Sequence, residues 1–264
     1  MTQKTRYSRR TVLTTGLATA AAGMLAGKNA AAQQPMPPNP KKPGSIRISA
    51  ICGIDHRVRG GVQPIMQHIP NADFWWAHDY QPITPEIIAD TDLLLTYYSG
   101  YMYTPENTEA IIDAVTNRGM GWICLHNTHW FVGDTLNEFI GAYAMLHREI
   151  QPVVLSNLNQ EHPITQGIEP FIIQLDEQFG AYLANPDDPA VKVLFRGHGL
   201  HDDHWTIQGW SAERGKGRIV GLTPGHYEWT WFEQQYNEIV WRAAQWALHQ
   251  PIAPFYGTMA NHIW

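Results

Sequence analysis

Residues 119–130, GMGWICLHNTHW, decide the predicted fold. Residues 120–125 are all apolar or small, and the polar run HNTH (126–129) follows them directly. A continuous apolar run of this length predicts a strand that is buried on both faces, as in a parallel sheet covered by helices. Ligands of such sheets bind just outside the carboxyl ends of the strands. His126 is therefore the first candidate site residue, with a purely structural hydrogen bond at a strand end as the alternative.

The chain on either side of this strand alternates between the patterns of strands and helices. Residues 105–117 predict a helix, because Thr104 can cap it and Pro105 suits its first turn. Further strands are predicted at 46–53, 72–77, 92–98, 150–155, 171–175, 191–195, 205–210 and 219–222, and further helices at 63–68, 136–144 and 235–249. This alternation with short loops predicts an α/β fold with a doubly wound, mainly parallel sheet flanked by helices.

Length and composition indicate one domain that does not bind nucleic acid. The 264 residues suffice for one core of ordinary α/β size, and a net charge of −6 without a basic patch argues against a nucleic-acid partner. The eleven Trp and eleven Tyr are typical of sites for partly apolar, hydroxylated ligands, although core packing is the commoner role of such rings. Cys52 and Cys124 are predicted to be buried, and a disulfide between them depends on whether their strands are adjacent.

The first part of the chain predicts export. Residues 1–32 have the features of a twin-arginine signal peptide, with Arg9-Arg10 before a weakly apolar, Ala-rich segment and a cleavage site near Ala32. That segment is too short and too polar for stable membrane insertion, so we expect the twin-arginine machinery to export the protein to the periplasm or the medium. A Pro-rich linker, the domain and a C-terminal tail follow at 33–44, 45–250 and 251–264. The tail is expected to pack on the surface or at a subunit contact of a homo-oligomer.

Two polar loops offer further ligand contacts. The loop after the first strand carries Asp55 and His56, at a position that often contacts ligands in this class of sheet. It lacks a GxGxxG pattern, so no nucleotide cofactor is expected. The run GHGLHDDH at 197–204 carries three His and two Asp, which suit a metal ion. A solvated hairpin tip is the favoured interpretation, because residues so close together on an irregular loop rarely surround one ion.

A second histidine repeats the arrangement of His126. His226 follows the predicted strand at 219–222, and central positions for both strands would place the two imidazoles in one cleft. Glu177 follows the strand at 171–175 and is a candidate base or ligand. A helix or turn cap is the structural alternative for Glu177.

Five motifs occur in a family-specific order: GWICLH (121–126), EHPITQGI (161–168), DEQF (176–179), GKGRIVGLTPGH (215–226) and IVWRAAQWAL (239–248). With these motifs the chain resembles the trehalose-utilisation (ThuA-like) family over about residues 46–249. The resemblance implies the flavodoxin-like fold of class I glutamine amidotransferases. It also implies a protein of sugar metabolism, associated with disaccharides and with glycosides oxidised at carbon 3. Amidotransferase activity is not expected, because no Cys or Ser nucleophile follows the strand that ends at His126.

These residues suit proton transfer next to a carbonyl group of a keto-sugar or glycoside. Such a reaction needs a base and a group that stabilises the enediolate. Glu177 is the predicted base, and His126 and His226 are predicted to polarise the oxygen, directly or as ligands of zinc, manganese or iron. The predicted substrate-binding residues are Asp55, His56, His129, Trp229 and Trp231.

Two other functions use the same residues. In a non-catalytic periplasmic carbohydrate-binding module, Trp229 and Trp231 would form a stacking platform and the histidines would only donate or accept hydrogen bonds. In a hydrolase, a metal ion held by the same imidazole and carboxylate groups would activate water.

Overall fold

The computed structural model describes residues 39–52, 56–77, 83–97, 103–129, 133–201 and 204–256. Within these ranges eleven strands form one sheet. The strands are β1 (Ile46–Ile51), β2 (Ala72–Trp76), β3 (Leu93–Thr96), β4 (Gly121–Leu125), β5 (Ala142–His147), β6 (Gln151–Ser156), β7 (Phe171–Asp176), β8 (Phe179–Leu183), β9 (Val191–Gly199), β10 (Thr206–Arg214) and β11 (Gly217–Leu222). The helices are α1 (His56–Met66), α2 (Pro85–Asp90), α3 (Pro105–Asp113), α4 (Asp134–Ile140) and α5 (Gln234–Ala247), with a π-helical turn at Ala114–Arg118 and 3-10 turns at His126–His129 and Glu228–Phe232.

The sheet has a parallel half and an antiparallel half. Its strand order is β2-β1-β3-β4-β11-β10-β9-β6-β7. All pairs from β2 to β11 are parallel, as predicted for a doubly wound fold, and all pairs from β11 to β7 are antiparallel. Strands β5 and β8 pair with each other as an antiparallel ribbon. The ribbon is connected to the rest of the sheet where β8 pairs with β10. Strands β4 and β11 are neighbours near the middle, and their carboxyl ends lie level because Leu125 pairs with Leu222.

Helices cover both faces of the parallel half, which confirms the doubly wound arrangement. Apolar side chains of α1 and α5 pack on one face, and those of α2, α3 and α4 pack on the other. Strand β4 is buried along its whole length between these layers, as its apolar run predicts. Helix α3 begins as predicted, because the Thr104 hydroxyl accepts a hydrogen bond from the Asn107 backbone N–H at 3.3 Å.

Several local predictions differ from the structure. The helix predicted at 136–144 ends at Ile140, because Gly141 adopts φ 98° and the chain continues as β5. Helix α1 starts at His56 rather than at residue 63, and β8 was not predicted. Cys52 directly follows β1 and Cys124 lies in β4, and β3 separates these two strands, so no disulfide joins the two buried thiols.

Both described ends of the chain pack on the domain. The end of the predicted linker is held where the Lys41 ammonium pairs with Asp92. The first residues of the tail lie along α5, where the Trp241 indole donates to the Ala253 carbonyl at 2.8 Å and Phe255 is buried. The predicted signal peptide and residues 33–38 and 257–264 lie outside the described residues. Among the described helices, none is both long enough and apolar enough to cross a membrane.

Candidate functional site

Three predicted residues meet beyond the carboxyl ends of the strands. His126 directly follows β4, Glu177 directly follows β7, and His226 lies four residues after β11. His126 Nε2 lies 3.0 Å from His226 Nδ1 and 3.3 Å from Glu177 Oε2, and the last two atoms are 3.1 Å apart. One atom from each side chain therefore contributes to a triangle of potential metal ligands.

The backbone and three neighbours fix the orientation of His126. Its φ of 47° lies in the left-handed region, which is uncommon for a residue with a side chain. The buried ring stacks on Tyr97 at 5.1 Å and meets the edge of Phe179 at 4.4 Å. Its Nδ1 lies 2.8 Å from the Thr223 carbonyl oxygen. Because a carbonyl only accepts, Nδ1 carries a proton, and Nε2 is the ring nitrogen directed at the triangle.

The second corner of the triangle is an ionised carboxylate. Burial raises the pKa of Glu177, but hydrogen bonds and positive charge from His126 and His226 outweigh burial and hold this pKa below its usual range. A carboxylate with a lowered pKa is a weak general base at neutral pH. The environment of Glu177 therefore suits a ligand better than the base that the sequence predicts.

The triangle is better suited to a cation than to a proton. With both imidazoles neutral, Nε2 of His126 and Oε2 of Glu177 are both acceptors, and a single proton on His226 Nδ1 is donated to one of them at a time. A divalent ion attracts all three atoms at once. With metal–ligand bonds of about 2.0–2.2 Å, neighbouring ligands in tetrahedral or octahedral sets lie about 3.0–3.5 Å apart. The three separations of 3.0–3.3 Å fall within that range.

Asp176, which the sequence interpretation did not select, holds the loop that carries His226. This carboxylate is buried and accepts four hydrogen bonds of 2.7–2.9 Å, from the backbone N–H groups of Glu177, Gly225 and His226 and from the Thr230 hydroxyl. Burial raises the pKa of Asp176, and the neighbouring imidazole charge and these hydrogen bonds oppose the shift. Three of the four partners are backbone N–H groups, which only donate, so this loop favours the ionised form.

The rest of the DEQF motif anchors the loop at 197–204. The Gln178 side-chain N–H donates to the His204 carbonyl at 2.6 Å, and its carbonyl oxygen accepts from the Gly199 N–H at 2.9 Å. This loop is the tip of the β9–β10 hairpin, the interpretation favoured from the sequence. Among the described residues, only the triangle of His126, Glu177 and His226 has the spacing of a metal site, and Asp202 and Asp203 lie outside those residues.

The two predicted stacking residues have different environments. A 3-10 helix has three residues per turn, so Trp229 and Phe232 share one face of their turn and Trp231 does not. Trp229 is 49% exposed, and its ring lies 5.8 Å from that of Phe232. Trp231 is 2% exposed and lies against Gly61, where an added Cβ would be 2.2 Å from its ring. The prediction that Trp231 stacks on sugar is therefore wrong, because its faces are enclosed by the core.

The remaining predicted substrate contacts cannot be placed. Asp55 lies outside the described residues, and so do the side chains of His56 and His129. After Asp176, the structure adds a second residue that the sequence interpretation missed. His147 Nδ1 lies 2.6 Å from Glu177 Oε1, the carboxylate oxygen outside the triangle. The signal for it was Gly141 followed by the strand-like AYAMLH (142–147), of which the predicted helix at 136–144 takes in the first three residues.

Comparisons with known proteins extend this description. The sequence profile of the family described as "Trehalose utilisation" (ThuA) matches residues 47–247. No curated protein matches the chain. Among solved structures, a ThuA-like protein from Bacteroides uniformis has a TM-score of 0.59 at 15% identity, and the match covers 80% of this chain and 95% of that one.

Two further structures show how widely the fold occurs. A β-galactosidase from Rahnella sp. R3 gives a TM-score of 0.54 at 12% identity, and the match covers 78% of this chain but 32% of the galactosidase. The glutaminase domain of CTPS from Trypanosoma brucei gives 0.50 at 6% identity, over 81% of this chain and 98% of the domain. At such identities these likenesses show the fold alone. That fold is the predicted flavodoxin-like α/β fold of the glutamine amidotransferases.

Proposed function

Because this chain belongs to the trehalose utilisation family, and so has a role in carbohydrate metabolism, we propose that it is an enzyme acting on a glycoside or 3-keto-sugar with a bound divalent metal ion. His126, Glu177 and His226 would hold the ion. The observation that carries this proposal is the triangle of three donor atoms at 3.0–3.3 Å from one another. Imidazole and carboxylate ligands suit zinc, manganese and iron.

The chain supplies a rigid set of ligands to this site. The Thr223 carbonyl fixes the tautomer of His126, and Asp176 fixes the loop of His226 through four hydrogen bonds. Such outer contacts orient metal ligands and raise their affinity. A bound divalent ion would polarise a carbonyl or hydroxyl oxygen of the sugar, or activate water. Three protein ligands are the number that catalytic zinc sites use, which leaves coordination positions for substrate.

The sugar would bind on the open side of the triangle. His226 is the more exposed of the two imidazoles, with 28% of its side chain accessible against 2% for His126. The exposed Trp229 and Phe232 follow His226 within six residues and offer apolar ring faces to a pyranose. We also propose that residues 1–32 direct the protein out of the cytoplasm, so that it meets its sugar in the periplasm or the medium.

Metal binding and turnover are measured together to test this function. The purified protein without residues 1–32 is stripped with a chelator, titrated with Zn²⁺, Mn²⁺ and Fe²⁺, and assayed on a panel of glycosides and their 3-keto derivatives. We expect one bound ion per chain, and His126→Ala should abolish both binding and turnover. His249→Asn is the matched control. This exposed histidine follows α5, which ends beside the amino end of β4, whereas His126 follows the carboxyl end of the same strand. Turnover that survives both chelation and His126→Ala would contradict the proposal.

A carbohydrate-binding module without catalysis is the second candidate function. The exposed pair of Trp229 and Phe232 favours it, because such rings bind sugars without any chemistry. Sugar binding that is lost in Trp229→Ala but unaffected by His126→Ala, with no product from any substrate, would support this function over the enzyme.

A further inference from the structure

We propose that His147 is a positioning residue for the metal ligand Glu177, an inference that rests on the proposed metal site. Its role would be to hold one carboxylate oxygen so that the other is presented to the ion. The contact is the 2.6 Å approach of His147 Nδ1 to Glu177 Oε1. Oε1 is not part of the triangle, which uses Oε2. The two oxygens of Glu177 therefore have separate partners.

A defect in the β5–β8 ribbon brings His147 to this position. Ala144 pairs with Ala181 and His147 pairs with Phe179, so β5 advances three residues where β8 advances two. This extra residue is a β-bulge, and bulges near sites commonly redirect a side chain. In a regular ribbon, residue 146 would lie opposite Phe179 and residue 147 would face the other side of the ribbon. The bulge thus places an imidazole next to Glu177.

The segment around His147 is also tied to the segment around Glu177. The backbone N–H of Arg148, the residue after His147, donates to the carbonyl of Gln178, the residue after Glu177, at 2.8 Å. Phe179 packs against both His147, at 5.9 Å, and His126, at 4.4 Å. These contacts fix the position of the imidazole relative to the carboxylate. A residue that orients a metal ligand needs such a fixed position.

A structural role alone does not account for this arrangement. The His147 side chain is 52% exposed, so it contributes little apolar burial to the fold. Its hydrogen bond to a carboxylate that is itself mostly buried restrains the carboxylate far more than it stabilises the strand. A carboxylate held at Oε1 keeps Oε2 directed at the ion. If the carboxylate could rotate, part of the free energy of metal binding would be spent on ordering it.

Zinc affinity, measured by competition with a chromophoric chelator, tests the proposal. We expect His147→Ala to weaken zinc binding by about 10–100-fold, the usual effect of removing an outer-layer partner. His147→Asn should restore most of the affinity, because its amide nitrogen lies near the position of Nδ1, and His147→Gln should restore less. Met145→Ala, on the same strand and 64% exposed, is the control and should bind zinc like the wild type.

A second background separates an effect through Glu177 from a general loss of structure. In Glu177→Ala, whose zinc affinity is already reduced, adding His147→Ala should change the affinity less than twofold. The metal-free variants should have the same melting temperature as the metal-free wild-type protein. Unchanged zinc affinity in His147→Ala, or an equal loss in the Glu177→Ala background, would overturn the positioning role while leaving the metal site intact. A wild-type protein that binds no metal would overturn the proposed function and this proposal together.

Discussion

Replacing Asp176 with Asn should destabilise the whole domain, because this carboxylate joins β7 to the loop after β11. One of its oxygens accepts from the backbone N–H groups of Glu177 and His226, and the other accepts from the Gly225 N–H and the Thr230 hydroxyl. Asparagine has the same shape but only one accepting oxygen. In place of Oδ1 the NH₂ group would face two backbone N–H donors, and in place of Oδ2 it would face the Gly225 N–H and a Thr230 hydroxyl that can turn to accept.

The expected loss follows from the number of hydrogen bonds. A hydrogen bond to a charged group contributes about 1.5–3 kcal/mol, and a bond to a neutral group about 0.5–1.5 kcal/mol, so one lost bond and three weakened bonds amount to about 4–7 kcal/mol. Removing a buried charge returns part of this free energy. We expect a decrease of about 3–4 kcal/mol in the free energy of unfolding, which is a large share of the roughly 5–15 kcal/mol of a typical domain. At about 2–4 °C per kcal/mol for a domain of this size, the melting temperature should fall by roughly 10 °C.

Urea unfolding followed by tryptophan fluorescence measures this difference. Asp113→Asn is the control, because that exposed carboxylate accepts one side-chain hydrogen bond, from Asn117 at 2.7 Å. Its free energy of unfolding should change by less than about 0.5 kcal/mol. A change below about 1 kcal/mol in Asp176→Asn would refute the reasoning, since the four donors would then not depend on the charge of Asp176.

Three other outcomes are expected. Burial, assisted by a neighbouring positive charge, lowers the pKa of His162 to about 4, so the unfolded chain takes up a proton between about pH 6.5 and pH 4 that the folded chain does not. The free energy of unfolding should therefore decrease as the pH falls from about 6.5 to about 4, by about 1–2 kcal/mol once partial exposure of the ring is allowed for. His162→Asn should flatten the plot of urea midpoint against pH. Gly61→Ala should lower the free energy of unfolding by about 2–4 kcal/mol, because the new Cβ would lie 2.2 Å from the Trp231 ring; a wild-type melting temperature would show that the ring can move aside. Replacing Arg9-Arg10 with Lys-Lys should leave the protein uncleaved in the cytoplasm, which fractionation and intact mass can establish; continued appearance of the shortened chain outside would exclude twin-arginine export.

The sequence by itself determined the elements whose signals are local. The apolar run at 120–125 specifies a strand buried on both faces, and the Thr104-Pro105 pair specifies where a helix starts. Parallel strands then share one edge for their carboxyl ends, so the pattern predicted one cleft for His126 and His226 if both strands were central, and the pairing of β4 with β11 brings them together. These inferences need only the periodicity of a segment and the geometry of a parallel sheet. Glu177 was also expected at that edge, but it follows β7 in the antiparallel half, four strands from β11, so its contact with the histidines depends on tertiary structure.

Tertiary structure decided the features that depend on residues far apart in the chain. Trp229 and Trp231 are the same residue type, two positions apart in the sequence. Only the packing of α1 against the 3-10 turn buries Trp231 and leaves Trp229 exposed. His147 reaches Glu177 because the chain after Gly141 forms β5, which pairs with β8. The hydrogen bonds that stabilise a strand come from its partner, which lies elsewhere in the sequence. The physical reason is that local patterns set backbone conformation, whereas burial and side-chain contacts are set by whichever distant segment fills the space alongside.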